Sequence, residues 1–451
     1  MAGLLETYVD TIRLGQEPFE EDDHFCIFLH GYQRLGDLHG ARRAFQEAYD
    51  VKHKGQRRLP STRRGGTSRH VHAGHLLRMY AAPQHRLYRS GLKLFFQLEY
   101  RFNVEWNTIL CNSALKCVML DAGRDGALND GLCVYELMQE RGIPVTAPTF
   151  ASLFALIGRT KGRATEADRA FRRLRSDFEL EKIKPNAHVY AAMIGCQKEY
   201  EPAKAYFRQM IGESIVPTVP VYNSVIQSCV KGQQRQVHAN SDAFLSTALQ
   251  EYEEMERKHG LVPTLHTYSS LLTLCRGGKF ARGNVPKALE LLTAMQAEHG
   301  LVPNEQIYLK ILYVCQAAPH DVESAFYVLN GMKSQGLRMS TKVYNALLAC
   351  AGSLGPITMH LLKEMRAAQV PPDLRTYSAL LGCCEDLLDG IVFFEEMNET
   401  GIVPNAYIYN RLIELCQRSG QHKQARQFYT EMREVGITPN AETLALMKDK
   451  L

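Results

Sequence analysis

Apolar residues recur along most of this chain at intervals of three and four, the spacing that lines one face of a helix. Two kinds of stretch alternate. The first opens on a tyrosine shortly after a proline: "PNAHVYAAMI" from Pro185, "PTVPVYNSVI" from Pro217, "PTLHTYSSLL" from Pro263, "PNEQIYLKIL" from Pro303, "PDLRTYSALL" from Pro372 and "PNAYIYNRLI" from Pro404. Tyr190, Tyr222, Tyr268, Tyr308, Tyr344, Tyr377 and Tyr409 lie 32, 46, 40, 36, 33 and 32 residues apart. Phe150 and Cys111 extend the series backward, and Leu444 extends it forward.

The second stretch carries a small residue seven positions before a Met or Leu, as in Gly131/Met138, Ala203/Met210, Ala288/Met295, Gly390/Met397 and Ala425/Met432. Seven residues are two helical turns, so both members share a face. A proline follows in most units, often after a glycine such as Gly300, Gly401 or Gly436. Glycine then proline is a helix stop followed by a breaker. Each unit is therefore predicted as helix, turn, helix, stop. The small residue lets a first helix approach closely. Such a hairpin cannot bury its apolar stripe alone, so neighbours must stack into a continuous core. The expected fold class is all-α, a solenoid of stacked helix-turn-helix repeats.

Unit length varies in the turns, where "KGQQRQVHANSD" and "RGGKFARGN" are inserted. Four segments are expected: residues 1–50 as an N-terminal capping helix and a divergent first repeat, 51–98 as a basic insertion with a degenerate repeat, 99–440 as about nine repeats, and 441–451 as a C-terminal cap. Within the second segment, 51–70 lacks an apolar period and reads as an exposed loop.

Composition narrows the function. The chain has 451 residues, 45% hydrophobic and 22% charged, which is globular rather than disordered. No apolar run approaches the ~18–20 residues that cross a bilayer, so membrane insertion is not expected. The net charge is +5, but residues 51–98 alone hold eleven Lys and Arg and no acid, which leaves the remainder at −6. Such a local basic run points to a polyanionic partner. Residues 1–23 are acidic and read as no transit peptide.

Catalytic chemistry has no foothold in the sequence. Phosphate-binding loops, the nucleophile elbow and the zinc-protease motif are all missing. Nine cysteines, from Cys117 to Cys416, follow the Tyr position by six or seven residues, so they read as small core side chains of the first helix. Cys383 and Cys384 are adjacent and no C-x-x-C pair exists, so no metal is expected. The expectation is a non-enzyme without cofactor or small-molecule substrate.

"VYNSVIQSCVKG", "VYNALLACAGSLG" and "YIYNRLIELCQRSGQHKQARQFYTEMREVGITPN" resemble pentatricopeptide repeats. The resemblance is strong from Cys111 to the C-terminus, moderate at 24–50 and weak at 51–98. It implies a right-handed superhelix that binds single-stranded RNA at one base per repeat. The implied readers are the residue after the Tyr and the residue just after the proline that ends the unit. Carried over, the pairs are Asn112 with Thr146, Asn223 with Thr264, Ser269 with Asn304, Asn345 with Asp373, Ser378 with Asn405, and Asn410 with Asn440. Ser with Asn resembles an adenine reader, Asn with Asp a uracil reader, and Asn with Asn or Thr leans to pyrimidine. Ala151 with Asn186, Ala191 with Thr218 and Leu309 with Ser340 lack a discriminating first member. Helix capping by itself would also place Asn, Ser, Thr or Asp at these positions.

The family has Val or Ile two residues before the Tyr, wedged between bases. Here stand His188, Pro220, His266, Gln306, Lys342, Arg375 and Tyr407. His, Arg and Tyr can stack on bases, and Lys or Arg can meet phosphate. Arg57, Arg58, Arg63 and Arg64 are further phosphate candidates. The implied role is RNA processing, stability, editing or translation in an organelle, taken as the mitochondrion from the resemblance alone. The alternative is a structural subunit of a mitochondrial ribonucleoprotein, holding rRNA and proteins without reading bases.

Overall fold

The computed structural model describes residues 38–49, 67–80, 88–102, 104–121, 126–160, 164–235, 241–277, 282–318, 321–352 and 355–447. These residues contain 22 α-helices and no strand. They belong to two compact units, 1–228 and 229–451. The first unit starts with α1 (Leu38–Tyr49), followed by the hairpins α2 (Thr67–Tyr80) with α3 (Tyr88–Phe102), and α4 (Thr108–Leu120) with α5 (Ala127–Glu140). The next are α6 (Ala147–Arg159) with α7 (Ala164–Leu180), and α8 (Ala187–Cys196) with α9 (Tyr200–Gly212). α10 (Val219–Arg235) runs through the division.

The second unit continues with α11 (Ser241–His259), then α12 (Leu265–Cys275) with α13 (Val285–Ala297), and α14 (Glu305–Ala317) with α15 (Val322–Ser334). There follow α16 (Thr341–Ala351) with α17 (Gly355–Ala367), α18 (Leu374–Cys383) with α19 (Leu387–Glu399), and α20 (Ala406–Arg418) with α21 (His422–Glu434). α22 (Ala441–Met447) ends the described chain. The architecture is an all-α helical repeat solenoid; within each unit first helices pack on their own second helix and on neighbouring first helices, as α6 does on α7, α4 and α8, and α14 on α15, α12 and α16.

The tyrosines and methionines of the repeat make the core. Tyr268, Tyr308, Tyr344, Tyr377 and Tyr409 are buried, as are Met295, Met332, Met365, Met397 and Met432. At Tyr409 the tip of the buried phenol is served by Glu431, to which it donates at 3.1 Å, and Tyr135 of α5 donates likewise to Asp177 at 3.1 Å. The small residue does admit a first helix, and it is that of the following repeat. A Cβ on Gly131 would lie 2.4 Å from Leu156 of α6, and one on Gly390 2.8 Å from Leu415 of α20.

Most second helices stop in a left-handed residue, with the next N–H reaching back to the carbonyl of the repeat methionine. Gly142, Gly336, Gly401 and Gly436 have φ between 62° and 84°. Ile143, Leu337, Ile402 and Ile437 donate to Met138, Met332, Met397 and Met432 at 2.8–3.1 Å. This closure satisfies a carbonyl that the helix itself leaves open.

One local expectation fails. Helix α2 begins at Thr67, inside the stretch read as a loop, and buries Ala73, Leu76, Leu77, Met79 and Tyr80. Its apolar residues begin only at Val71, so no period is visible at 67–70. Residues 51–66, with Arg57, Arg58, Arg63 and Arg64, lie outside the described residues.

Candidate nucleic-acid interface

Each first helix opens in the same way, and the opening fixes where the polar positions point. The last residue of one unit is the N-cap of the next first helix. Asn186, Asn304 and Asn405 accept from Val189, Ile307 and Ile408 N–H at 3.0–3.1 Å. Counting from that cap, the second helical residue precedes the Tyr by two, the third precedes it by one, and the fifth follows it. The cap and the fifth residue are the two implied readers. The capping explanation is therefore realised at the end position, where the implied reader is also the cap.

At three junctions the structure brings the implied pair together across the repeat boundary. Asn345 Nδ2 donates to Asp373 Oδ1 at 2.9 Å, and Asn410 Nδ2 to Asn440 Oδ1 at 3.2 Å. Asn112 Nδ2 lies 3.5 Å from Thr146 Oγ1. Each asparagine is also held by a residue that the sequence reading passed over, the third residue of the next first helix. Thr149, Thr376 and Thr443 donate to Asn112, Asn345 and Asn410 Oδ1 at 2.8, 2.7 and 2.6 Å.

The serine pairs behave differently. Ser378 Oγ donates to Leu374 O at 2.7 Å within its own helix, and Asn405 faces its cap bond. At the Ser269 junction the Ser269 carbonyl accepts from Thr273 at 2.7 Å, and Asn304 accepts its cap bond from Ile307 N–H at 3.1 Å. Asn223 is buried in the first unit, and Thr264 is exposed in the second. Asn410 is 3% exposed, and its second amide N–H goes to Glu442 at 2.9 Å, so its whole amide is engaged.

Asp373 gathers the most bonds. Its Oδ1 accepts from Arg375 N, Thr376 N and Asn345 Nδ2, all at 2.9 Å, and lies 3.1 Å from Thr376 Oγ1. Burial raises its pKa, but the bonds from Thr376, Asn345 and Arg375 more than offset that and hold it below the ordinary carboxylate value. Its Oδ2 has no partner among the described residues.

The wedge positions are open. His188, His266, Lys342 and Arg375 are exposed, and their side chains make no hydrogen bond or ion pair among the described residues. Tyr407 is 46% exposed. The sixth helical position supplies two more cations. Lys310 is half-buried against Thr273, and burial lowers its pKa. Arg411 donates to the Leu381, Gly382 and Cys384 carbonyls at 3.0–3.2 Å and so caps the end of α18.

The cysteines sit at the far end of the first helices. Cys117 and Cys196 donate to Leu77 O and Phe154 O of the preceding first helix at 3.4 and 2.9 Å. Burial pushes the Cys117, Cys275, Cys315 and Cys350 thiols up to about 12. No group of His, Cys, Asp and Glu suited to a metal ion occurs among the described residues, and no described helix is long and apolar enough to cross a membrane.

Comparison with known families matches this arrangement. A model described as the pentacotripeptide-repeat region of PRORP matches residues 233–355 and 279–390, and the pentatricopeptide repeat domain matches 392–447. The chain is a pentatricopeptide repeat protein. Among solved structures, this repeat protein is similar to maize PPR10, with a TM-score of 0.46 and 17% identity over 100% of this chain and 74% of that one. PPR10 in complex with an 18-nt psaJ RNA element gives 0.40 and 18% over 100% and 75%. Yeast Rmd9p in complex with a 16-nt target RNA gives 0.38 and 13% over 96% and 87%. No curated protein matches.

Proposed function

We propose that this repeat protein binds single-stranded RNA along the N-terminal ends of its first helices. The observation that carries the reading is the Asn345–Asp373 pair. Asn345 keeps one amide N–H beyond its bond to Asp373, and Asp373 keeps the Oδ2 acceptor. A donor beside an acceptor complements a base edge that presents C=O beside N–H. Uracil and guanine present that edge. The family pattern implies uracil here. In the next repeat, Ser378 spends its proton on Leu374 and offers lone pairs, which suits the amine of the implied adenine. The exposed Lys342, Arg375 and Tyr407 flank these pairs and supply charge and a stacking surface.

The finer reading is action in RNA processing, stability, editing or translation in mitochondria, which rests on the family resemblance. A second reading draws on Ala151, Ala191 and Leu309, whose fifth positions cannot discriminate a base. On that reading these repeats hold RNA or ribonucleoprotein subunits by shape and charge. Crosslinking separates the sites. RNA carrying 4-thiouridine at the U of an A-any-U-A-pyrimidine core, irradiated on the full chain and mapped by peptide, should mark 341–351 and 374–383. Crosslinks confined to 51–98 or to second helices would overturn the reading.

A further inference from the structure

The threonine that holds each asparagine belongs to the next repeat, and its presence follows a rule along the chain. The residue five into a first helix is Asn at 112, 223, 345 and 410, and the third residue of the following first helix is then Thr149, Thr267, Thr376 and Thr443. Where the fifth residue is Ala151, Ala191, Ser269, Leu309 or Ser378, that third residue is Val189, Val221, Ile307, Val343 or Ile408. Asn and Thr thus occur together in four of four junctions, and neither occurs without the other in the remaining five.

The bonding explains the rule. The cap backbone N–H donates to the threonine oxygen, at 3.1 Å for Thr146 to Thr149, 3.0 Å for Asp373 to Thr376 and 3.2 Å for Asn440 to Thr443. That N–H takes one lone pair of the hydroxyl, whose single proton goes to the nearer acceptor, the asparagine Oδ1 at 2.6–2.8 Å rather than the cap side-chain oxygen at 2.8–3.2 Å. The amide nitrogen is then forced toward the cap side chain. At Asp373 the carboxylate, which only accepts, favours the same polarity, so the Asn345 amide is held from both ends. Valine or isoleucine at this position offers no proton, and an asparagine there would leave a buried carbonyl unpaired.

We propose that Thr376, with Thr149 at its own junction, is a positioning residue for base recognition: it locks the orientation of the preceding repeat's asparagine amide, so the specificity of one repeat is set partly by the next. Thr443 holds its amide in the same way, with Glu442 taking the remaining N–H. The proposal rests on the RNA-reading function above. It predicts that an asparagine reader cannot be installed by changing its own position alone.

The test is binding of the full-length protein to four RNAs that differ only in the base at the U of the A-any-U-A-pyrimidine core. Wild type should prefer U, and Asn345→Ala should abolish the preference. Thr376→Val should reduce it roughly tenfold, as expected for loss of one aligned hydrogen bond to a base edge. Thr376→Ser, which keeps the hydroxyl, should restore it. A gain-of-function pair removes any dependence on a weakened fold: Ser378→Asn with Ile408→Thr should move the next base preference from A toward pyrimidine, and Ser378→Asn alone should not. A wild type without base preference would defeat the RNA-reading function itself. Retained preference in Thr376→Val, loss in Thr376→Ser, or an equal shift from Ser378→Asn alone would overturn the positioning role while leaving that function standing.

Discussion

A few residues carry more than one duty, and their energetics can be tested singly. Asp373 caps α18 and pairs with Asn345. Removing an N-cap acceptor costs about 1 kcal/mol, so Asp373→Ala should lower stability by that order in urea unfolding. The pKa of Asp373 is depressed in the fold, so its contribution is full above its unfolded value, near 3.8, and is lost as pH falls through the lower folded value. The stability gap between wild type and Asp373→Asn should therefore shrink as pH is taken from 7 to below 4. Three second helices stop in a left-handed residue that is not glycine: Lys182, Ser214 and Gln369, with φ of 49°, 61° and 54°. A side chain in that region costs about 1 kcal/mol, so Gln369→Gly should raise the denaturation midpoint. Cys133 is exposed while Cys275, Cys315 and Cys416 are buried, so maleimide labelling of native protein followed by mass mapping should mark Cys133 well before those three.

At the scale of the element, most of the fold was legible because helical periodicity is written in residues only three and four apart. The Tyr and Met positions read from the sequence are the buried positions of the helices. The N-terminal part was less legible: the apolar residues of α2 begin at Val71, so Thr67–His70 carry no apolar signal. The candidate site was legible by halves. Its paired positions follow from the family pattern, but Thr376 does not, since its meaning depends on an asparagine 31 positions earlier. The alternation of Thr with Val or Ile was visible as letters; only the junction geometry shows why. Close approach gives a comparative prediction within the second unit. A Cβ on Gly283 would meet the Val314 carbonyl at 2.2 Å, whereas one on Gly390 would meet a leucine methyl at 2.8 Å. Backbone cannot yield as a side chain can, so Gly283→Ala should cost about 2–3 kcal/mol and Gly390→Ala about 1, measured by chemical denaturation.

For the whole molecule, the central claim is that polar pairs at successive junctions read a single strand of RNA. The rest of the chain bears on that claim through charge. The basic run at 51–98 offers a second, sequence-blind way to hold a polyanion, and the two modes differ in salt dependence. The most direct measurement is the dissociation constant, by fluorescence anisotropy at two salt concentrations, of wild type and an Asn345→Ala/Ser378→Ala double mutant for the A-any-U-A-pyrimidine RNA and a scrambled RNA. Tighter binding of the core RNA by wild type, reduced to the scrambled level in the double mutant, is the predicted result. Equal affinity for both RNAs, falling steeply with salt and untouched by the double mutation, would contradict it.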